Sequence, residues 1–534
     1  MQSPEDVDRS CLQNLRCPDS LIVKHRLTET KDKLRRQVFE WIFQDPQYQR
    51  WRDGNEICLL WIKGGAGKGK TMMTIGLVDE LSRGPHESAV LTYFFCQNAD
   101  NELNTLQSIL KGLILRLVNQ QPELKESLRR RWDSENDRFN EDMTLWRNLW
   151  HIFLEMLDRC TASKIYIIVD ALDECQDGWM GDFLKLIVRN GLDRPAKFKW
   201  LLTSRPLDSA ERALLAGNDQ VQVSLELNSN YVLEAVKAYI TDKVNELSRY
   251  HNYTPSLTKA LETELLAKAE GNLLWASLAC KRLESVQKDA ALTTIQDLPP
   301  GLYPFYDRIL NQLREGDQDD VYRCIRLLKA MMLVYRPLRA EEVTSVTGLA
   351  NDNGAVEALV NRCASFLKMQ ESTIEFVHQS ARDYLTAETN QSILGLYGHY
   401  GHYEIVQGCL SQLCEKLKVN LLDLPRPDST IRDWKPLKDE KRNIQLSCLD
   451  YAATFWVQHL EAMERNTIVQ SGLLDKGLVG ILLQSKLLEW LECLILLGKL
   501  PMAIEALKAL VNITKVSVSC CSTSRDSADK LKQG

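Results

Sequence analysis

The sequence predicts an α/β domain with a parallel sheet and helices on both faces, followed by a helical domain, a winged-helix domain and an α-helical C-terminal region. Three observations predict it. Between residues 57 and 227, short apolar runs alternate with stretches of helical periodicity. The first run leads into the glycine-rich turn Gly64-Gly65-Ala66-Gly67-Lys68-Gly69-Lys70-Thr71. Beyond Asn228 the alternation stops and helical periodicity dominates, apart from two short strand-like runs at 366–369 and 374–377. Alternating strands and helices argue for a parallel sheet buried on both sides.

Residues 1–55 form an N-terminal helical linker: a charged amphipathic helix over 27–43, a break at Gln44-Asp45-Pro46, and Tyr48 to Trp51 leading toward the first strand. Residues 56–228 form the sheet domain, with strands expected at 58–62, 90–95, 165–169, 200–203 and 221–225. Helices at 231–247, 257–269 and 273–286 place a helical domain over 229–292. Helices before and a hairpin after, turning at Gln370-Glu371-Ser372, suggest a winged-helix-like domain over 293–388. Residues 389–515 read as a further helical domain, interrupted by a Pro- and Asp-rich loop at 423–436. The polar tail 516–534 has the composition of a disordered segment.

The turn that follows the first strand carries the chemistry. The spacing Gly-x-x-x-x-Gly-Lys-Thr is complete from Gly64 to Thr71. Such a loop turns backbone N–H groups inward, and the helix after it adds its positive dipole end. Glycine is needed where the backbone takes φ > 0 or approaches a phosphate closely. Gly64, Gly65, Ala66, Gly67, Lys68, Gly69, Lys70, Thr71 and Met72 are the expected cradle for a nucleoside triphosphate, ATP or GTP. Lys70 would reach the β- and γ-phosphates and Thr71 would hold Mg²⁺. The alternative is a chance glycine-rich turn, against which the flanking strand and helix required by the motif speak.

The apolar run 165–169 ends in Asp170, the expected second Mg²⁺ residue. Asp173 and Glu174 follow, and an acid there can orient or deprotonate an attacking water. Glu174 is the first choice and Asp173 the second; an acidic turn capping the next helix is the alternative. The run Trp200-Leu201-Leu202-Thr203 leads to Arg205 at the same carboxyl edge of the sheet, where open α/β folds bind ligands. A guanidinium there can tell triphosphate from diphosphate. The alternative is a surface arginine in a turn set by Pro206.

The bulk numbers narrow the partners. A net charge of -6 gives no basic footprint for nucleic acid. The run Arg129-Arg130-Arg131 sits among acids and reads as a solvated helix face. Fifteen cysteines occur with no Cys-x-x-Cys pair, which points to a reducing, cytoplasmic interior and away from zinc-ribbon chemistry. Cys520-Cys521 lies in the polar tail, as two free thiols or an acylation site. His399 and His402 lack a third ligand at metal spacing. The apolar stretch 477–500 is broken by Lys486, Glu489 and Glu492, so it reads as a packed helix pair and not as a membrane span.

Asp170-Ala171-Leu172-Asp173-Glu174, the loop Gly64 to Thr71 and Thr203-Ser204-Arg205-Pro206 resemble the motifs of NACHT NTPases. Cys11-Leu12-Gln13-Asn14-Leu15, Glu270-Gly271-Asn272-Leu273-Leu274-Trp275-Ala276 and the stretch from Phe376 to Leu385 are similar to the fungal members of vegetative incompatibility type. The resemblance covers nearly the whole chain. It implies a STAND-type signalling switch, an ATPase or GTPase with slow hydrolysis, that holds a diphosphate when closed and opens and self-associates on exchange. It also implies that His378 reaches the bound diphosphate from the winged-helix domain; a helix-capping histidine is the alternative. Family members usually carry an effector domain before this module and repeats after it, so sensor and output are expected from protein partners or from chain absent here. A remodelling ATPase and a nucleotide-binding scaffold without hydrolysis are the competing functions.

Overall fold

The computed structural model describes residues 12–513 apart from 13–14, 16, 31–38, 84–88, 136–144, 192–196, 207–211, 213, 215–219, 225–228, 350–352, 396–400, 423–439, 464–467 and 469–476. The loop 423–436, the tail 516–534, Cys520-Cys521 and His399 therefore lie outside the described residues. Two compact units emerge, Met1–Ile309 and Leu310–Gly534.

The first unit is built on a five-stranded sheet in the order β2-β3-β4-β1-β5. The strands are β1 (Leu59–Lys63), β2 (Ala89–Phe95), β3 (Lys164–Asp170), β4 (Phe198–Ser204) and β5 (Gln220–Ser224). Every pairing is parallel. The five expected strands are all present, shifted by one or two residues at their ends. Both faces of β3 and β4 are buried, which explains why these strands read as continuous apolar runs.

Register sorts the two faces. Thr92 lies beside Ile167, and Ile167 beside Trp200. On this face the Thr92 hydroxyl donates to Leu113 O of the helix Leu106–Gln120. Trp200 packs at 6.1 Å against both Trp150 and Phe153 of the helix Trp146–Arg159. That second helix buries Trp146, Leu149, Trp150, Phe153, Met156 and Leu157, a stripe at helical spacing. The opposite face carries Asp170 and Thr203 and meets the helix Lys70–Arg83 through Thr74.

Ahead of the sheet the helix begins earlier than the charge pattern implies, at Ser20, and its described part ends at Thr30. Phe39 and Glu40 form a turn before a short helix at Trp41–Gln44. The expected single helix over 27–43 is thus broken, since charge periodicity marks a face but not an end. Asp45 caps the next helix, Pro46–Asp53, by accepting from Gln47 N and Tyr48 N. After β5 come the helices Ser229–His251, Pro255–Ala269, Leu273–Glu284 and Lys288–Asp297.

The second unit contains an antiparallel sheet in the order β6-β8-β7, made of Leu338–Arg339, Leu367–Gln370 (β7) and Thr373–Phe376 (β8). The hairpin turns at Glu371 and Ser372, both at positive φ (55° and 115°), as tight primed hairpin turns require. The two-residue strand β6, Leu338–Arg339, was not expected; it is too short to carry a period-2 signal. The apolar stretch near the end forms the two helices Leu478–Ser485 and Leu487–Leu496. No described helix is long and apolar enough to cross a membrane.

Two buried polar groups organise this unit. Glu342, fully buried, takes a bidentate pair from Arg336 (2.6 and 2.8 Å) and a bond from Tyr451 N at 3.1 Å. Arg336 also faces Asp450, which Lys499 reaches at 2.7 Å. Burial alone would raise the Asp450 carboxyl, but Arg336 and Lys499 outweigh it and hold it below its usual value. Beside this cluster, His402 opens the helix His402–Lys416. Its Nδ1 lies 2.7 Å from Nδ1 of His459, whose Nε2 lies 2.8 Å from the Tyr451 hydroxyl.

Burial and the neighbouring His402 push the His459 ring down to about 3. A base whose folded value is depressed stabilises the fold fully above its unfolded value, and that contribution is lost as pH falls toward the folded value. Thermal unfolding followed between about pH 7 and about pH 5 should therefore show falling stability, and His459→Gln should flatten that slope.

Candidate functional site

The site forms at the carboxyl ends of β1, β3 and β4, neighbours in the sheet in the order β3-β4-β1. Gly64 N donates to Ser204 O at 3.2 Å, so β1 leaves the sheet still tied to β4. The chain then turns through Gly67 (φ 76°) and Gly69 (φ 84°) and enters the helix Lys70–Arg83. Both angles fall where a Cβ is strained, which is why glycine occupies these two positions.

Lys70 folds back over the loop. Its Nζ donates to Gly64 O at 2.5 Å and Gly65 O at 3.0 Å. Burial pulls its pKa below the usual lysine value, with Asp173 and Asp170 opposing that shift. Thr71 is the second residue of the helix, partly exposed.

Asp170 ends β3 and is 1 % exposed. Its Oδ1 accepts from two hydroxyls, Thr74 at 2.7 Å and Thr203 at 2.6 Å. Thr203 also accepts from Ala171 N at 2.9 Å, and Ala171 takes a left-handed conformation (φ 56°) that turns the chain away from the sheet. Asp173 and Glu174 then sit in a short 3-10 turn. Asp173 brackets Arg205: Oδ1 accepts from the Arg205 amide at 2.9 Å, and Oδ2 pairs with its Nε at 3.1 Å. Glu174 Oε2 accepts from Asn98 N at 3.1 Å.

The fold thus brings Lys70, Asp170, Asp173, Glu174 and Arg205 to one edge of one sheet. The hydroxyls that fix Asp170 carried little signal. Thr203 lies in the tetrapeptide before Pro206; Thr74 is marked only by its spacing, one turn after Lys70. A narrow pocket beside the loop, lined by Phe39, Trp41, Met73, Val232, Val236 and Leu273, had no signal in the sequence either. Of its lining, Trp41 stacks on Tyr231, with centroids 5.3 Å apart.

His378 belongs to the second unit. It caps the helix Gln379–Thr386, its Nδ1 accepting from Ser380 N at 3.1 Å. The capping alternative therefore describes its local role.

Comparison with known proteins agrees with the motifs. Residues 37–205 match the family model described as Nephrocystin 3, N-terminal. Over 527 residues the chain is 32% identical to the vegetative incompatibility protein HET-E-1 of the fungus Podospora anserina, covering 95% of this chain and 38% of that protein. The chain carries its phosphate-loop motif on a parallel α/β sheet. It spans about two fifths of the length of that curated relative. Among solved structures, the Walker-type ATPase PABY2304 of Pyrococcus abyssi overlaps 64% of the chain and 93% of its own at 12% identity and a TM-score of 0.30. Cdc6p from Pyrobaculum aerophilum overlaps 71% and 94% at 10% identity and a TM-score of 0.30. These overlaps are loose, and the α/β fold with its glycine-rich loop rests on the topology and loop geometry above.

Asp170 offers a direct check of this construction. In Asp170→Ala the hydroxyls of Thr74 and Thr203 lose their buried acceptor, a loss worth about 1–3 kcal/mol. Asp170→Asn keeps an acceptor oxygen in place. Chemical denaturation should show the alanine variant clearly destabilised and the asparagine variant much less so.

Proposed function

We propose that this chain is a nucleotide-dependent signalling switch that binds ATP or GTP with Mg²⁺ and hydrolyses it slowly. The observation that carries the reading is the complete phosphate loop at the edge of β1, with Asp170 on β3 and Arg205 after β4 beside it. The residues fit the group. Gly67 and Gly69 take the positive φ that opens a cradle, and Lys70 already supplies a cation to the loop's own oxygens. Bound Mg²⁺ would neutralise charge on the phosphates.

In this reading Lys70 would share its charge with the β- and γ-phosphates, and Thr71 and Asp170 would hold the metal. Glu174 would place the attacking water, with Asp173 the second choice. Arg205, held by Asp173, registers the γ-phosphate. The division into a winged-helix-like domain over 293–388 and flanking helical domains belongs to the same reading, as do a cytoplasmic location and self-association on exchange. So does His378 as a diphosphate contact; His378→Ala would then speed diphosphate release, and an unchanged rate would remove that role. The name of the similar fungal protein points to vegetative incompatibility as the process served, with sensor and output supplied by protein partners.

The test is the nucleotide carried by purified protein, released by denaturation and separated, with binding of a fluorescent nucleotide measured in parallel. Lys70→Ala should weaken binding by about tenfold to a hundredfold, the loss expected for a charged hydrogen-bonding group. Equal affinity in wild type and variant would overturn the assignment of the loop.

A further inference from the structure

The segment Glu270-Gly271-Asn272-Leu273-Leu274 has no part in the switch chemistry above, yet it lies against the phosphate loop within the same unit. A loop that points its amides inward leaves its carbonyls facing outward, and each needs a donor. Gly64 O and Gly65 O take theirs from Lys70, and Gly69 O from Met73 N at 2.9 Å. Ala66 O and Gly67 O take theirs from outside the loop. The helix Leu273–Glu284 serves them instead. Asn272 Nδ2 donates to Ala66 O at 3.2 Å, and the amides of Leu273 and Leu274 converge on Gly67 O at 3.0 and 3.4 Å. In return Lys68 Nζ donates to Gly271 O at 3.1 Å.

Asn272 is suited to this contact by its two ends. Its Oδ1 caps the helix by accepting from Trp275 N at 3.0 Å, while its amide nitrogen faces the loop. Contact is close enough that a Cβ on Gly67 would come within 2.3 Å of Asn272 Oδ1. The two residues before it turn in left-handed conformations, Glu270 at φ 48° and Gly271 at φ 68°, which brings the helix start onto the loop.

We infer that Asn272 is a positioning residue: its side-chain amide and the helix start behind it clasp the outer carbonyls of Ala66 and Gly67 and so hold the loop's amides in their inward, anion-binding orientation. The same clasp makes the helical segment sense the loop, since any ligand that reorients those two peptides must change the bonds to Asn272, Leu273 and Leu274. The clasp stands on the geometry alone. Its effect on nucleotide rests on the function proposed above.

Two variants separate positioning from capping. Asn272→Ser and Asn272→Asp both retain strong N-cap acceptors, so the helix start survives. Serine is too short to reach Ala66 O, and aspartate presents an acceptor where a donor is needed. Hydrogen exchange on the full chain without nucleotide reads the clasp directly: amides of residues 65–71 should exchange faster in both variants, while the melting temperature stays near that of wild type. Release of a fluorescent nucleotide should be about threefold to tenfold faster, the range for loss of one neutral hydrogen bond. Loop exchange at the wild-type rate in both variants overturns the clasp. Faster loop exchange in the variants of a wild type that binds no nucleotide would support the clasp and sink the proposed function.

Discussion

Everything at the sheet edge depends on how a tight loop disposes of its backbone carbonyls. Five oxygens, those of Gly64, Gly65, Ala66, Gly67 and Gly69, find donors from three sources: a lysine inside the motif, the helix that the motif opens, and a helix start far along the chain. The positive φ of Gly67 and Gly69 makes the geometry accessible. Hydrogen bonding makes it persistent, because an unpaired buried carbonyl would cost more than a typical hydrogen bond contributes. The acidic side of the site follows the same logic. Asp170 is buried with two hydroxyls on one oxygen, and Arg205 is held at both its amide and its guanidinium by Asp173. The chemically useful groups are therefore oriented by neighbours before any ligand arrives.

Much of this was legible in the sequence, for identifiable reasons. A strand buried on both faces needs only an apolar run, so β1 to β5 could be placed to within a residue or two. The phosphate loop is a local motif whose spacing is its geometry. What escaped were relations between distant positions. Thr74 and Asn272 are ordinary polar residues until the fold sets them against Asp170 and Ala66. The break in the N-terminal helix, with Phe39 and Trp41 carried to the pocket beside the loop, left no mark in charge periodicity. The two-residue strand at Leu338–Arg339 is specified by its pairing with β8, not by its own pattern.

The second unit shows a different use of buried polarity. Glu342, Arg336, Asp450 and Lys499 form a charge cluster between a short turn and the helix Glu440–Glu461. Such clusters fix relative placement more than they add net stability, since desolvation offsets much of the attraction. The adjoining imidazole pair must share a proton between His402 and His459 with only one ring donating across the gap. Both rings are disfavoured as cations by burial.

The clasp on the loop also bears on where this protein can be divided. The match to the Nephrocystin 3 N-terminal family ends at residue 205, just past the last strand tip of the site. The compact unit runs on to Ile309. A fragment excised at the earlier boundary would keep every motif residue and lose Gly271, Asn272, Leu273 and Leu274. The carbonyls of Ala66 and Gly67 would pass to water, and the loop would gain freedom to rotate those peptides. The smallest stretch that keeps every carbonyl of the loop paired is thus set by hydrogen bonds across some two hundred residues of sequence (Asn272 to Ala66 spans 206), and the span of the recognisable motifs understates it.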